Sequence, residues 1–431
     1  MRVAVIGAGY VGLTTAACFA HLGHEVLCAD IDSERVARLQ KGEVPILELG
    51  LPELIKEGLA AHRLQFVVGA ATAAVSAEIV FLCVQTPQGA DGSADLSFVE
   101  NVAREIAPVL AAHAVVVNKS TVPVGSTRFV QRILSEAGAR ADGVTVASNP
   151  EFLREGQAVR DFLNPDRIVI GCDDRESAVR VSELYKGVGA PVLVTDPASA
   201  EMIKYASNAF LATKVSFINA IANLCEAVDA DAREVAIGMG YDTRIGFQFL
   251  NPGPGYGGSC FPKDTAALIH TADTAGYEFS LLRGVVEVNL RQHERIIEKL
   301  RDTAGGSLRD VPVGVWGLTF KANTDDLRDS PALVVCRRLL EEGAHVRAYD
   351  PAAGEAAGRT LPGLDIVTDP YDAARDAQLL ALLTEWDEFR WLDFGRVVDA
   401  MAAPRGLVDA RNLLDPAAMR RLGYDYQGVG R

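Results

Sequence analysis

Cys260 stands in a segment that favours a reactive thiol. The segment reads GGSCFPKD, with Pro262 placed for the first turn of a following helix and Lys263 next to it. A helix N-terminus and a nearby cation both stabilise a thiolate, and the preceding glycines let a substrate approach the sulfur. Asp264 follows one helical turn later, where its carboxylate could order a water or a lysine. The pattern predicts a covalent nucleophile, and the alternative is a buried structural cysteine, the usual state of a free thiol.

Two further polar side chains share one face of a long predicted helix. Lys204 and Asn208 are four residues apart, which places an ammonium above an amide donor. Such a pair could hold an oxyanion, and the alternative is a solvated polar stripe. We interpret the apolar neighbours as core or interface residues: Met202, Tyr205, Phe210 and Leu211.

Candidate acid and base residues follow predicted strands. Glu151 and Glu155 in NPEFLREG, and Thr121 in STVPVGST, come after strand ends. Ligands of α/β sheets bind at the carboxyl edge of the strands, and a carboxylate there can act as a base. The alternatives are solvated surface carboxylates and an ordinary turn threonine.

The N-terminal segment carries a dinucleotide-binding pattern. Gly7, Gly9 and Gly12 form G-x-G-x-x-G between a predicted strand and a helix, and Asp30 ends the next strand. The glycines let a pyrophosphate approach the helix N-terminus, while the acid accepts hydrogen bonds from the ribose. Because an acid would repel a 2′-phosphate, NAD is favoured over NADP, although Arg35 could meet either a ribose or a phosphate. The alternative is a glycine turn that only caps a helix.

Strands and helices alternate at both ends of the chain. Apolar runs predict strands of a parallel, helix-covered sheet at residues 3–6, 25–30, 79–84, 115–118, 144–148 and 167–170. A helix uninterrupted by Gly or Pro is predicted over residues 199–224, and helices resume after the Cys260 loop. A second βαβ unit follows, with Ser330 as N-cap and Pro331 at the first helical position.

These elements predict an α/β fold in three parts. They are an N-terminal NAD-binding Rossmann domain over residues 1–198, a central helical domain over residues 199–303 with the long helix and the Cys260 loop, and a C-terminal Rossmann-like α/β domain over residues 304–431. A chain of 431 residues is indeed longer than one hydrophobic core supports.

Composition excludes several classes of partner. A net charge of -15 disfavours nucleic acid and anionic membranes, and no apolar run reaches the roughly 18 residues of a membrane span. Seven cysteines without a C-x-x-C pair predict no metal site and fit the reducing cytoplasm. The first predicted strand begins at Arg2, so we expect no signal peptide.

Taken together, the sequence resembles the UDP-glucose/GDP-mannose dehydrogenase family. The likeness covers nearly the whole chain and lies in segments that occur in family order: GAGYVG, VQTPQGADGSADLS, STVPVGST, NPEFLREG, KYASNAFLATKVSFIN, FLNPGPGYGGSCFPKD, GLTFKANTDDLRDSP and TEWDEF.

The resemblance implies that the C-terminal α/β domain binds the UDP-sugar, and it implies roles for individual residues. The catalytic set would comprise the nucleophile Cys260, the oxyanion-binding Lys204 and Asn208, and the supporting Asp264. Glu151 with Thr121 would position or activate a water molecule. NAD would contact Gly7, Gly9, Tyr10, Val11, Gly12, Asp30, Arg35, Thr86, Thr121, Glu155, Lys263 and Arg328. The nucleotide sugar would contact Glu151, Phe152, Leu153, Arg154, Glu155, Lys204, Asn208, Phe249, Leu250, Asn251, Pro252, Gly253, Gly257 and Lys321. Arg244 would reach the substrate of a partner subunit, which implies a homodimer or larger homo-oligomer through the long helix.

The implied reaction removes two hydrides from one primary alcohol of a nucleotide sugar. A thiohemiacetal on Cys260 would retain the aldehyde while the cofactor is exchanged, and water activated by a carboxylate such as Glu151 would release the acid from a thioester. Ser259 stands where the acetylated-sugar branch carries a histidine, which favours UDP-glucose. The alternatives are GDP-mannose or a UDP-N-acetyl sugar as substrate, a two-electron β-hydroxyacid dehydrogenase, and a non-catalytic nucleotide-sugar sensor.

Overall fold

The computed structural model describes residues 1–139 and 143–431, which form two compact units. The first unit contains Met1–Ser207 and Ala266–Tyr277, and the second contains Asn208–Thr265 and Glu278–Arg431. The division into three domains stays a prediction. Among the described residues, no helix is long and apolar enough to cross a membrane.

The first unit is built on one eight-stranded sheet. Its strands are β1 (Arg2–Ile6), β2 (Glu25–Asp30), β3 (Leu64–Val68), β4 (Ile79–Leu82), β5 (Val115–Asn118), β6 (Thr145–Ser148), β7 (Ile168–Gly171) and β8 (Val192–Thr195). The strand order is β3-β2-β1-β4-β5-β6-β7-β8. Strands β2 and β3 are therefore added on one side of β1 and β4 to β8 on the other, so the order of the strands reverses at β1. That reversal point is where α/β sheets bind ligands.

Helices cover both faces of this sheet. They are α1 (Tyr10–His21), α2 (Ser33–Gln40), α3 (Leu51–Ala60), α4 (Ala70–Ala74), α5 (Ser97–Ile106), α6 (Ser126–Glu136), α7 (Ala158–Leu163) and α8 (Arg175–Glu183), with a 3-10 turn at Ala107–Val109. Val3 and Val5 of β1 pack in one hydrophobic core, whereas Ala4 and Ile6 pack in another. The strand is apolar at successive positions because both of its faces are buried.

The expectation of a parallel sheet is wrong at one position. β6 and β7 pair antiparallel, with Ser148 opposite Gly171, whereas the other strand pairs of the sheet are parallel. Two neighbouring parallel strands need a connection that crosses back to the edge of the sheet where the first strand began. Two antiparallel strands can be joined by a connection that stays at one edge. The NPEFLREG segment and the six-residue α7 lie between these strands, and β7 therefore starts at the edge where β6 ends.

Two helices contain residues of both units. Helix α9 (Pro197–Ala227) belongs to the first unit up to Ser207 and confirms the long helix expected from the sequence. Helix α11 (Phe261–Thr274) begins directly after Cys260, and Pro262 lies in its first turn as expected.

The second unit contains a six-stranded parallel sheet. Its order is β11-β10-β9-β12-β13-β14. The strands are β9 (Pro312–Trp316), β10 (His345–Tyr349), β11 (Asp365–Ile366), β12 (Leu379–Leu382), β13 (Gly406–Asp409) and β14 (Asp425–Gln427). The remaining helices are α10 (Ala232–Gly240), α12 (Ser280–Thr303), α13 (Pro331–Glu341), α14 (Gly354–Thr360), α15 (Pro370–Ala374), α16 (Phe394–Ala400) and α17 (Pro416–Arg421), with a 3-10 turn at Asp387–Trp391. The Ser330 hydroxyl caps α13 by accepting from the Leu333 N–H, which confirms the predicted N-cap.

In both sheets, an aspartate at the end of the second strand accepts hydrogen bonds from the backbone of the loop that follows the first strand. In the first unit the Asp30 carboxylate accepts the Ala8 N–H at 2.8 Å. In the second unit Asp350, directly after β10, accepts the Leu318 N–H at 2.7 Å and the Thr319 N–H at 3.1 Å. The likeness between the two α/β halves therefore extends to this hydrogen bond.

The turn between β1 and α1 requires two of its three glycines for steric reasons. Gly7 has a φ of +104°, and a Cβ on Gly12 would lie 1.8 Å from the Gly7 carbonyl oxygen. A Cβ on Gly9 would meet no heavy atom within 4 Å. The tight turn therefore depends on Gly7 and Gly12, whereas Gly9 leaves open space beside the helix N-terminus.

This contrast gives a stability prediction. We expect Gly12→Ala to lower the free energy of unfolding by about 1–3 kcal/mol, because the added methyl overlaps the Gly7 carbonyl. Gly9→Ala is the matched control and should unfold like the unchanged protein. Thermal unfolding of the ligand-free chain followed by circular dichroism measures both, and equal midpoints for the two variants would contradict the steric account.

Candidate active site

The residues predicted to bind a dinucleotide lie at the carboxyl edge of the first unit's sheet. Besides Ala8, the Asp30 carboxylate accepts the Arg35 guanidinium at 3.2 Å, so these two predicted cofactor residues form an ion pair. The Thr86 hydroxyl donates to the Thr121 carbonyl at 2.9 Å and joins the loops that follow β4 and β5. With the open space at Gly9, this arrangement fits a dinucleotide whose pyrophosphate lies against α1.

Tyr10 ties the glycine turn to the NPEFLREG segment. Its hydroxyl donates to the Glu48 carboxylate and accepts the Gly156 N–H at 2.6 Å. Glu48 also accepts the Gly156 N–H, at 2.7 Å, and is itself buried. Tyr10 and Glu48 therefore hold the backbone of this segment at Gly156, a role for Glu48 that could not be predicted from the sequence.

A buried ion pair joins Glu151 to helix α9. Lys204 Nζ donates to Glu151 Oε1 at 2.8 Å, and the two residues are 3% and 5% exposed. Glu151 Oε2 accepts the Leu153 N–H at 2.6 Å. Burial raises the pKa of the Glu151 carboxyl, but the Lys204 ammonium, the Leu153 N–H and the Lys119 ammonium together hold it below its usual value. Glu151 is therefore a carboxylate at neutral pH.

The residues beside Glu151 are also held in place. The Arg167 guanidinium lies 3.7 Å from the ring centroid of Phe152, and Lys204 Nζ lies 5.5 Å from it. Arg154 pairs with Asp161 at 2.6 Å.

Cys260 lies in the second unit at the start of α11. Its carbonyl accepts the Asp264 N–H at 2.9 Å, so its thiol stands in the first turn, where helix N–H groups favour a thiolate. The Ser259 hydroxyl is 3.4 Å from Cys260 Sγ. Cys260 is partly exposed, whereas the other six cysteines are buried and all seven are free thiols.

Asp264 organises its neighbours in the same unit. One carboxylate oxygen accepts Asn208 Nδ2 at 2.6 Å, and the other accepts Lys263 Nζ at 2.7 Å. Asp264 is 1% exposed, so these bonds fix an amide and an ammonium close to the Cys260 turn. Of the two partners expected for Asp264, a lysine or a water, the structure shows a lysine, Lys263.

The proposed substrate loop is clamped by amide side chains that the sequence analysis missed. Asn219 of α9 accepts the Gly253 N–H at 2.8 Å, and Gln292 of α12 donates to the Gly253 carbonyl at 2.8 Å. Asn289 of α12 accepts the Tyr256 N–H at 2.8 Å and donates to the Tyr256 carbonyl at 3.1 Å. These bonds satisfy buried backbone groups of a loop that has no regular structure.

Other predicted substrate residues lie around this loop. Leu250, Pro252, Gly253 and Gly257 are buried, and a Cβ on Gly257 would lie 2.0 Å from the Asp329 carbonyl oxygen. Asn251 is exposed, and Phe249 and Lys321 are partly buried. Arg328 pairs with Asp326 at 2.8 Å, and the highly exposed Arg244 pairs with Asp242 at 2.6 Å.

Comparison with known proteins matches the chain over most of its length. The NAD binding domain of the UDP-glucose/GDP-mannose dehydrogenase family matches residues 1–188, the central domain of that family matches residues 198–291, and its UDP binding domain matches residues 314–416.

Full-length relatives are similar to the chain as well. It is 48% identical over 437 residues to the UDP-glucose 6-dehydrogenase of Rhizobium meliloti, with 100% of both chains covered. It is 47% identical over 447 residues to the UDP-glucose 6-dehydrogenase of Pseudomonas aeruginosa, covering 100% of this chain and 98% of that one.

A solved structure is similar to the fold. The UDP-glucose dehydrogenase of the hyperthermophilic archaeon Pyrobaculum islandicum superposes with a TM-score of 0.93 at 40% identity, covering 99% of this chain and 97% of that one. Because three domain models of one family match the chain and full-length relatives are similar to it from end to end, the chain belongs to the UDP-glucose/GDP-mannose dehydrogenase family.

Proposed function

We propose that this chain oxidises UDP-glucose to UDP-glucuronate with two equivalents of NAD, and that Cys260 forms the covalent intermediates. The names of the full-length relatives support the substrate, and the NAD binding domain supports the cofactor. The observation that carries the mechanism is the partly exposed Cys260 at the N-terminus of α11, one turn before a buried aspartate that binds Asn208 and Lys263.

Cys260 retains the aldehyde in this proposal. Its sulfur adds to the aldehyde carbon and gives a thiohemiacetal, which a second oxidation converts to a thioester. Residues of the β1–α1 turn, with Asp30 and Arg35, would hold NAD, which would supply the oxidising power as the hydride acceptor of both oxidations. Hydrolysis of the thioester regenerates the thiol and releases the carboxylate.

Lys204 and Asn208 stabilise the oxygen that becomes negatively charged. An ammonium carries three donors and can bind Glu151 and an oxyanion at once. An amide nitrogen carries two, of which one is directed at Asp264. Both side chains are buried, which strengthens their interaction with a developing charge.

Glu151 activates the water that hydrolyses the thioester, with Thr121 positioning it. Glu151 is charged at neutral pH and can accept a proton from water, and the Lys204 ammonium stabilises its charged form between turnovers. The loop from Phe249 to Gly253, with Gly257 and Lys321, binds the nucleotide sugar.

We also propose a homodimer or larger homo-oligomer built through α9, in the cytoplasm. Phe210, Phe217 and Leu224 repeat every two helical turns and are 64%, 48% and 57% exposed. Such a stripe is typical of a surface that another chain covers. Arg244 would then reach the substrate of the neighbouring subunit, and seven free thiols fit the reducing cytoplasm.

The four-electron reaction has a fixed stoichiometry. We expect two NADH for each UDP-glucose consumed, measured by absorbance together with chromatography of the sugar nucleotides. Cys260→Ala should abolish UDP-glucuronate formation while NAD affinity stays near that of the unchanged protein. One NADH per sugar, or acid formation by Cys260→Ala, would remove Cys260 from this role.

Replacing Glu151 should separate thioester formation from its hydrolysis. We expect Glu151→Gln to lower kcat by about a hundredfold or more and to accumulate a covalent adduct on Cys260, because the general base is lost. Intact-protein mass spectrometry detects the adduct, and Glu155→Gln is the control that should not accumulate it. A slow Glu151→Gln variant without adduct would show that Glu151 acts before the thioester forms.

The oligomer depends on the apolar stripe of α9. We expect Phe210→Lys with Phe217→Lys to reduce the mass found by analytical ultracentrifugation, because charged groups would be buried between chains. Leu281→Lys, at a similarly exposed position of α12, should leave the mass unchanged. A monomeric unchanged protein would rule out the proposed interface.

A further inference from the structure

A second lysine is buried in the first unit behind Glu151. Lys119 follows β5 directly and is 4% exposed. Its Nζ donates to Asn149 Oδ1 at 3.1 Å and to the Tyr185 hydroxyl at 3.1 Å, and it lies 5.7 Å from the ring centroids of Phe162 and Tyr185. Both of these acceptors are neutral, so the ammonium is buried against uncharged groups.

Asn149, which accepts a hydrogen bond from Lys119, is held by several further hydrogen bonds. Asn149 is the first residue after β6, and its Oδ1 also accepts the Tyr185 hydroxyl. Its Nδ2 donates to the Val169 carbonyl of β7 at 2.8 Å, and its backbone N–H donates to the Asn118 carbonyl at 2.9 Å. Asn149 therefore anchors the start of the segment in which Glu151 follows two residues later.

Electrostatic coupling links Lys119 to the same carboxylate. Burial lowers the pKa of the Lys119 ammonium to about 8, the Cys83 and Cys18 thiols and Glu151 oppose this effect, and the Lys204 ammonium adds to it. Lys119 is in turn one of the groups that lower the pKa of Glu151. Glu151 thus has two buried ammonium groups near it, of which only Lys204 touches it.

Packing alone does not require a charge at position 119. The side chain lies against two aromatic rings, which an apolar chain of similar length would also contact, and burying an ammonium costs free energy. The Asn149 oxygen would keep its bond from Tyr185 without Lys119. The charge therefore needs an explanation beyond the fold.

We propose that Lys119 is a positioning residue for Glu151, because it fixes Asn149 two residues before Glu151 and supplies a second buried positive charge in addition to Lys204. This inference rests on the proposed role of Glu151 in thioester hydrolysis. Lys119 acts through Asn149 and through its charge, and touches no reacting atom.

The test compares the loss of a charge with the loss of a neutral bond to the same oxygen. Lys119→Met removes the ammonium and keeps the length of the chain, whereas Tyr185→Phe keeps the charge and removes a neutral donor to Asn149 together with one acceptor of the Lys119 ammonium. The measurement is kcat for UDP-glucose against pH. A nearby cation lowers a carboxyl pKa, so its removal raises the pKa of Glu151, and the acid limb of the Lys119→Met profile should move up by about one pH unit. Tyr185→Phe should keep the acid limb of the unchanged protein.

A second measurement does not depend on turnover. With its pKa lowered from 10.5 to about 8, Lys119 holds its proton less tightly in the folded chain than in the unfolded chain. Its destabilising effect is complete below pH 8 and is relieved as the pH rises from 8 towards 10.5. The stability of the unchanged protein relative to Lys119→Met should therefore rise across that window in urea unfolding.

The outcomes separate the two proposals. If the unchanged protein releases two NADH per sugar but the acid limbs of Lys119→Met and Tyr185→Phe coincide, Lys119 is only a structural donor and this inference is wrong. A stability difference that does not change between pH 8 and 10.5 would also overturn it, because no buried charge would then be present. If the unchanged protein does not oxidise UDP-glucose, the proposed function is wrong, and the role of Lys119 that rests on it is wrong as well.

Discussion

The buried ion pair between Glu151 and Lys204 is the constraint on which the rest of the first unit's candidate site depends. Two charges removed from water are tolerated only when each has a partner and further hydrogen bonds, and the Leu153 N–H supplies one of these. The pair also ties the segment after β6 to α9.

Much of this architecture could be predicted from local sequence. The glycine turn, the strand that ends at Asp30, the uninterrupted α9 and the Ser330 cap each depend on residues close together in the chain, and the structure confirms them. Contacts between distant residues could not be predicted in this way. Glu151 and Lys204 are 53 residues apart, and nothing local distinguishes a paired buried carboxylate from a solvated one. The antiparallel β7 escaped prediction because an apolar run carries no sign of strand direction.

The amide clamp shows a second limit of sequence interpretation. Asn219, Asn289 and Gln292 lie on helices, where isolated polar residues usually face solvent. A loop rich in glycine and proline cannot pair its own N–H and C=O groups, so buried amides from neighbouring helices must do so. The need for such residues follows from the loop, but their positions follow only from the packing of the helices.

Because six of the seven cysteines are buried, electrophilic reagents that attack thiols should react mainly with the seventh, Cys260. Burial raises the pKa of Cys18, Cys83 and Cys336 to about 12, so these thiols stay protonated and enclosed. Cys260 alone among the seven is partly exposed, and it stands at a helix N-terminus. A thiol-alkylating reagent used on the folded protein would therefore label Cys260 in preference to the other six cysteines, and the extent of labelling would report the accessibility of that thiol. The same selectivity directs the oxidation of cysteine by peroxide to Cys260.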